Sequence, residues 1–442
     1  MGSPVRECFH ALADGLEALR RPHEGYLLSF EGEESDFARF NHNRVRQCGG
    51  VIQRTLWVDL IEGKRHAAGS CNVTGVPEQD RDVLRRLVAD LRARLPHLPE
   101  DPHLLYATEV NDTEDVRTGV LPDAHEAVAC ITHAARGLDL VGIWASGTLY
   151  SGFASSVGQR NWYHTASFNF DWSCHHQEDK AVKCAYAGLQ WEPPQLERRM
   201  SEAREHLRVL ERSPRTIPAG RYRAYLAPAA LREILQMLAW GGFGLKSHRT
   251  AQTPLLKMVR EGRRLHPSVT LRENRRAGLT PRFTLSGHIK ADELVLVENG
   301  RYRHCLVSPR SSKEFGEPVN SGAEFPEALE MAGGDVPAEE VLARLGTGLY
   351  VGNLWYCNYS DRNDCRLTGM TRFACFWVED GEIRAPLNVM RFDDSVYRLL
   401  GENLLGLTRE REWFLDTHTY GSRSTGSIRL PGAVVEDFTL TL

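Results

Sequence analysis

The stretch Cys375–Leu387, CFWVEDGEIRAPL, decides how the second half of this chain folds. An apolar run reaches Asp380-Gly381, and a second extended run leaves it. Asp-Gly supplies the two positive φ angles of a type I′ turn, so the segment reads as a β-hairpin. The same signal occurs upstream, where LVLVENGRYRHCLV (294–307) turns at Asn299-Gly300. Two such hairpins stand among many short strand-like runs, with one clear helix at 228–240. That pattern predicts a mostly antiparallel sheet for the C-terminal half.

Working toward the N-terminus, SPRTIPAG (213–220) places two prolines and a glycine between a charged helix at 194–212 and a new strand, RYRAYLA. Such breakers mark a connection, so we expect an N-terminal domain at 1–213 and a C-terminal domain at 214–442. The first half mixes helical spacing (1–20, 78–95, 123–136) with strand-like runs. GYLLSF through HAAGS reads as a meander broken at glycines and charged turns, and three further runs follow residue 139. The expected class is α+β in two domains.

The chain has 442 residues, 42% hydrophobic and 25% charged, with a formal net charge of -4. That balance argues against nucleic acid or an anionic membrane as the principal partner. No run of about 18 apolar residues occurs, and the first 20 residues read as an amphipathic helix rather than a signal peptide. The ten cysteines are irregularly spaced and form no CxxC. Reduced thiols and a cytoplasmic location are the expectation.

Two constellations invite a metal reading. HEAVACITH (125–133) begins like a zinc-peptidase helix. His125 and His133, however, are two helical turns apart, roughly 12 Å along the axis, too far to share an ion. An HExxxH reading would put Cys130 in the second ligand position. On a regular helix that lies about 140° round from His125, and Ala129 offers no break. His125 and Glu126 therefore read as surface residues, with Asp123 as N-cap. In SCHHQEDKAVKC, Cys174, His175, His176 and Cys184 match no common zinc spacing, and a hairpin loop is the expected reading.

Several ordered pieces resemble the TldD/PmbA family, also called modulator of DNA gyrase. They are RTIPAGRYRAYLAPAALREILQML (215–238), DELVLVENGRYRHCLVSPRSSKEFG (292–316), PAEEVLARLGTGLYVGNL (337–354), TRFACFWVEDGEIRAPLNVMRF (371–392) and GSRSTGSIRLPGAVVEDFTL (421–440). RFNHNRVRQ and DKAVKCAYAGLQ add to them from the first half. The resemblance spans nearly the whole chain. The cysteine-rich WYCNYSDRNDC (355–365) departs from the family's usual Gly-rich loop.

The resemblance implies the family's two-domain fold and one of two roles. TldD-type members are zinc metallopeptidases whose HExxxH helix follows the first C-terminal strand, with a Cys from a later loop as a further ligand. PmbA/TldE-type members lack that motif, pair with a TldD-type subunit and help to degrade or trim unfolded peptides in a closed chamber. Here Gln236 and Met237 stand opposite His-Glu, and Gly241 stands opposite the second His. Neither a Gln-Gly pair nor Met237 supplies zinc ligation or a general base. Met237, Leu238 and Trp240 suggest a packed helix instead. The resemblance thus implies a PmbA/TldE-type subunit with no catalytic residue or metal of its own, and with zinc in its partner.

Cys357 falls near the family's cysteine position, with His248, Cys365 and Cys375 as possible neighbours. Buried packing is the plain reading of these thiols. A reworked Cys/His site, making the chain an independent peptidase or peptide-maturation enzyme, is the first alternative. A regulatory protein of the gyrase-modulator type is the second.

Overall fold

The computed structural model describes residues 3–177 and 180–441. It is an α+β fold built on two sheets. The first has strands β1 (Gly25–Asn41), β2 (Arg44–Glu62), β3 (Arg65–Asn72), β4 (Thr113–Arg117), β5 (Asp139–Ser155), β6 (Arg160–Gln177) and β7 (Lys180–Gly188). Their order is β3-β2-β1-β5-β6-β4, with β7 also on β6. Helices α1 (Pro4–Leu19), α2 (Pro77–Arg94), α3 (Ala124–Ala134) and α4 (Pro193–Leu210) accompany it.

Alternation along β1 sorts its residues between two faces. Leu28 and Phe30 pack with Phe9 and Leu12 of α1 and Leu84 and Val88 of α2. Ala38 and Phe40 pack with Ile131 of α3 and Met200 of α4. The other face, carrying Ser29, Glu31, Glu33 and Ser35, turns toward the C-terminal half. There Leu27 and Phe153 meet Phe283, and the Ser29 hydroxyl donates to the Leu285 carbonyl at 2.9 Å.

The first turn of the meander is not at glycine. Gly49 and Gly50 lie inside β2, and the chain turns at His42-Asn43, with φ of 49° and 52°. Asn43 holds this left-handed turn through its amide, which donates to the Thr132 and Ala135 carbonyls. Cys174, His175 and His176 are not in a loop either. They continue β6, and Cys184 lies in β7, with Cys174 opposite Val182 and Trp172 opposite Cys184. The expected hairpin turn falls at 178–179, outside the described residues.

After α4 the chain enters the second sheet. Its strands are β8 (Gly220–Leu226), β9 (Leu271–Asn274), β10 (Glu293–Glu298), β11 (Arg301–Tyr302), β12 (Ala328–Met331), β13 (Gly348–Asp361), β14 (Arg366–Glu379), β15 (Glu382–Pro386), β16 (Arg391–Ser395), β17 (Leu404–Leu415) and β18 (Ser427–Leu440). Both diagnostic turns form as read: Asn299 and Gly300 have φ of 48° and 73°, Asp380 and Gly381 of 53° and 77°. The sheet is mixed, however. β8–β13 and β12–β18 are parallel pairs, made possible because helices and long connections separate their strands.

Helix α5 (Pro228–Gly242) lies on this sheet. Leu231, Ile234, Leu235 and Leu238 are buried among Leu226, Val351, Leu430 and Phe438. No helix among the described residues is long and apolar enough to cross a membrane. All ten cysteines are free thiols.

Candidate functional site

The decisive element is the end of α5. Its backbone leaves helical geometry at Trp240 (ψ 85°) and Gly241 (φ 81°, ψ 7°). An HExxxH helix requires such a break, because ligands five residues apart otherwise diverge by about 140°. The backbone device is present here and the ligand side chains are not. Gln236 is exposed, Met237 is half-buried against the core, and Gly241 has no side chain.

Space at 241 is also taken. A Cβ there would meet Arg362 Nη2 at 2.5 Å. Arg362, in the β13–β14 turn, donates from Nε to the Gln252 carbonyl (2.8 Å) and from Nη2 to the Trp240 carbonyl (3.1 Å). Its guanidinium also covers the Tyr359 ring at 5.1 Å. Trp240 does not pack into the core as its apolar neighbours suggested. It is 57% exposed, because the break swings its ring out beneath Arg362.

Cys357 lies near this helix. It packs against the same core cluster as Met237, and its thiol pKa is pushed up to about 12, by burial first and then by the Glu233 carboxylate. A thiol so held is protonated at neutral pH and is a poor nucleophile. With native protein at pH 8, iodoacetamide is therefore expected to label exposed Cys48 at least ~10-fold faster than Cys357. Comparable rates by mass spectrometry would contradict that environment.

His248 has no free nitrogen. Nε2 donates to the Gly242 carbonyl (2.7 Å), and Nδ1 accepts from the Tyr302 hydroxyl (3.0 Å). This pair of bonds fixes the tautomer and ties the segment after the break to β11. Burial also lowers the His248 pKa. The unfolded ring takes a proton near pH 6.5 and the folded ring only at lower pH. Its contribution to stability is thus complete above about pH 6.5 and falls as pH drops below it. His248→Ala is expected to cost about 2 kcal/mol at pH 8 and to flatten the acid side of the stability profile. An unchanged acid slope in the variant would contradict this.

Cys365 is buried at a left-handed turn position. Cys375 is buried with its Sγ directed at the Arg372 carbonyl (3.4 Å). Burial raises both thiols. His125 and Glu126 are exposed on α3, whose N-cap Asp123 accepts from the Glu126 amide at 2.8 Å. Among the described residues no group of three or more His, Cys, Asp or Glu side chains converges to hold a metal. At the positions that the resemblance sets opposite the zinc ligands and base, Gln236, Met237 and Gly241 offer an amide, a thioether and no side chain, none of them a usual zinc donor.

In front of α5 lies a cleft with two lobes. One, of 530 Å³, is lined by Arg232, Gln236, Phe325, Phe414, Asp416 and His418 among others. The other, of 660 Å³, lies between the free face of the first sheet and residues 281–290, 322–327 and 421–425. Glu327, Ser424 and Thr425 line both lobes.

The connection 416–426 crosses from one half to the other and is pinned by Arg423, 8% exposed. Its guanidinium donates to the Ser35 hydroxyl, the Gly147 carbonyl, and the carbonyl and hydroxyl of Ser167. Its backbone amide donates to Glu33. Burial lowers the Arg423 pKa to about 10, opposed by the Glu33 charge. Asp416 accepts from His418 Nδ1 at 2.7 Å, leaving Nε2 available. Burial would raise Asp416, but the His418 amide and ring hold it below the usual carboxylate range. Sequence reading missed this cleft, since its residues come from strands and turns up to 390 positions apart.

A two-sheet α+β chain whose helix α5 breaks at Trp240-Gly241 in front of a cleft has a metallopeptidase-like fold. Residues 219–442 match the PmbA/TldA metallopeptidase C-terminal domain. The chain belongs to the PmbA/TldD family.

Solved structures of similar fold include TldE from Thermococcus kodakarensis, with TM-score 0.76 and 13% identity, covering 98% of this chain and 100% of that one. A protein from Thermotoga maritima described as a modulator of a DNA gyrase gives 0.74 and 14%, covering 98% and 100%. One from Bacteroides thetaiotaomicron with the same description gives 0.73 and 14%, covering 98% of each chain. No match was found among curated proteins.

Proposed function

We propose that this chain is a PmbA/TldE-type, non-catalytic subunit of a heterodimeric zinc metallopeptidase that degrades or trims unfolded or modified peptides in the cytoplasm. The observation that carries the reading is α5. It breaks at Trp240-Gly241, the positions that the resemblance sets opposite the ligands and base carry Gln236, Met237 and Gly241, and Arg362 stands against Gly241.

The partner would supply zinc, which polarises the scissile carbonyl and acidifies its bound water. This chain would supply walls. The cleft has the volume of a ligand site. In addition, β3 pairs with β2 only from Thr55 to Glu62, so the outer edge of 44–53 has no strand among the described residues. An extended peptide could add there through backbone hydrogen bonds, which an unfolded chain offers and a folded one does not.

A partner face is supported by Trp355 and Tyr356, 46% and 76% exposed, with rings 5.4 Å apart. Tyr356 holds a left-handed φ of 57° at a β13–β14 register shift. Exposed aromatics held in a strained backbone are typical of binding surfaces. The Cys357/His248 alternative draws no support from a protonated thiol and a doubly bonded imidazole.

Co-expression with a TldD-type subunit is the test. A stable 1:1 complex is expected, with zinc only in the partner and with peptidase activity that neither chain shows alone. Stoichiometric zinc and peptidase activity in the isolated chain would sink the proposal.

A further inference from the structure

The larger lobe of the cleft has a chemistry of its own. Alternation on β1 points Glu31 and Glu33 into it, flanked by Thr55 and Gln53 of β2 and by Ser151 and Leu149 of β5. Glu33 is 2% exposed. Its Oε2 accepts from Gln53 Nε2 (2.9 Å) and from the Arg423 amide (3.2 Å). Its Oε1 is buried and has no protein donor.

Burying a carboxylate oxygen without a donor is costly. The cations lining the lobe do not meet this need. Arg423 spends its guanidinium on Ser35, Gly147 and Ser167, and that charge reaches Glu33 only through space. Lys290 is bonded to Glu327 at 2.6 Å. Neither Glu31 nor Glu33 has a Lys, Arg or His side-chain nitrogen within 4.0 Å among the described residues, whereas Glu34, on the opposite face, is paired with Arg54. Trp57 and Phe283 complete the wall.

We propose that this lobe is a subsite for a protonated primary amine, taken from the N-terminus or a lysine side chain of the bound peptide. An ammonium brings three donors to two carboxylates, one of them short of a partner. Its methylenes and charge suit an aromatic wall. A carboxylate would be repelled, and a carbonyl has nothing to donate. At 660 Å³ the lobe holds a few residues of chain, not a folded domain. The inference rests on the peptide-chamber reading and names the part of the peptide that this chain selects.

Calorimetry on the full chain tests it with three peptides: Gly-Leu-Leu amide, its N-acetyl form, and N-acetyl-Gly-Leu-Lys amide. The expected result is at least ~10-fold tighter binding of one or both amine-bearing peptides than of the acetylated neutral one. The arm that gains identifies the source of the amine. Glu33→Gln, and separately Glu31→Gln, are expected to reduce that preference to within ~2-fold while leaving the weak affinity for the neutral peptide in place. Glu31 lies away from the Arg423 anchor, so Glu31→Gln remains informative if Glu33→Gln fails to fold.

Equal affinities in the wild type, no detectable binding of any peptide, or a preference that survives both substitutions would overturn the subsite. Peptide binding without amine preference leaves the chamber reading standing. Amine preference without capture of a metallopeptidase partner does the reverse.

Discussion

Arg423→Ala is expected to destabilise the chain by about 4 kcal/mol, among the largest effects of any single polar substitution here. Four acceptors on the first sheet lose a charged donor at once: the Ser35 hydroxyl, the Gly147 carbonyl, and both oxygens of Ser167. Each buried acceptor left dry costs on the order of 1–3 kcal/mol. Recovering the desolvation penalty of a buried arginine offsets part of this. Close packing around Gly147, where even a Cβ would lie 2.0 Å from the Glu34 carbonyl oxygen, limits how far the sheet can relax.

The second consequence of Arg423→Ala is local. Tyr420 is fully exposed on the same connection, so chymotrypsin nicking there reports release of the strap. It is expected to speed up at least ~10-fold. Arg423→Lys keeps the charge but loses the planar fork, and it is expected to recover less than half of the loss. Denaturation midpoints and nicking rates within error of wild type would refute the anchoring role.

Much of the fold is legible because its punctuation is local. Asn299-Gly300 and Asp380-Gly381 dictate hairpins whatever surrounds them, and both form with the required φ angles. His42-Asn43 makes the same turn without glycine. It escapes notice because its support is distant: the Asn43 amide is held by carbonyls of α3, about 90 residues away. Trp240 misleads for a related reason. Its neighbours are apolar at helical spacing, and only the left-handed Gly241, stabilised by Arg362 from the β13–β14 turn, turns it to solvent.

The site divides in the same way. The run that holds Gln236, Met237 and Gly241 is one segment, so its side chains and its break at glycine can be compared with a motif directly. The cleft is not, because Glu33, Lys290, Glu327 and Arg423 meet only once the connections of the C-terminal half lie over the free face of the first sheet. His248 looks like a ligand in sequence because tautomer and partners are invisible there. Gly242 and Tyr302 consume both nitrogens.

Gly241→His, the substitution that would return a histidine to the family's second ligand position, is expected to cost about 3 kcal/mol and to build no site. A side chain at φ 81° pays roughly 1–2 kcal/mol for left-handed backbone. It also collides with Arg362 Nη2 at 2.5 Å, and Arg362 cannot yield freely. Moving it breaks the bonds to the Gln252 and Trp240 carbonyls and lifts the guanidinium from Tyr359, together about 1–2 kcal/mol. A double-mutant cycle separates the two costs. With Arg362→Ala already present, Gly241→His should cost only the backbone share, a coupling of at least ~1 kcal/mol. Additive losses would show that Arg362 does not guard the position. The chemical readout runs in parallel. Gln236→His, Met237→Glu and Gly241→His together are expected to leave zinc well below one equivalent after dialysis, because the arginine occupies the ligand's place. One tightly held equivalent in that triple variant would mean that the helix break alone is enough to make the metal centre.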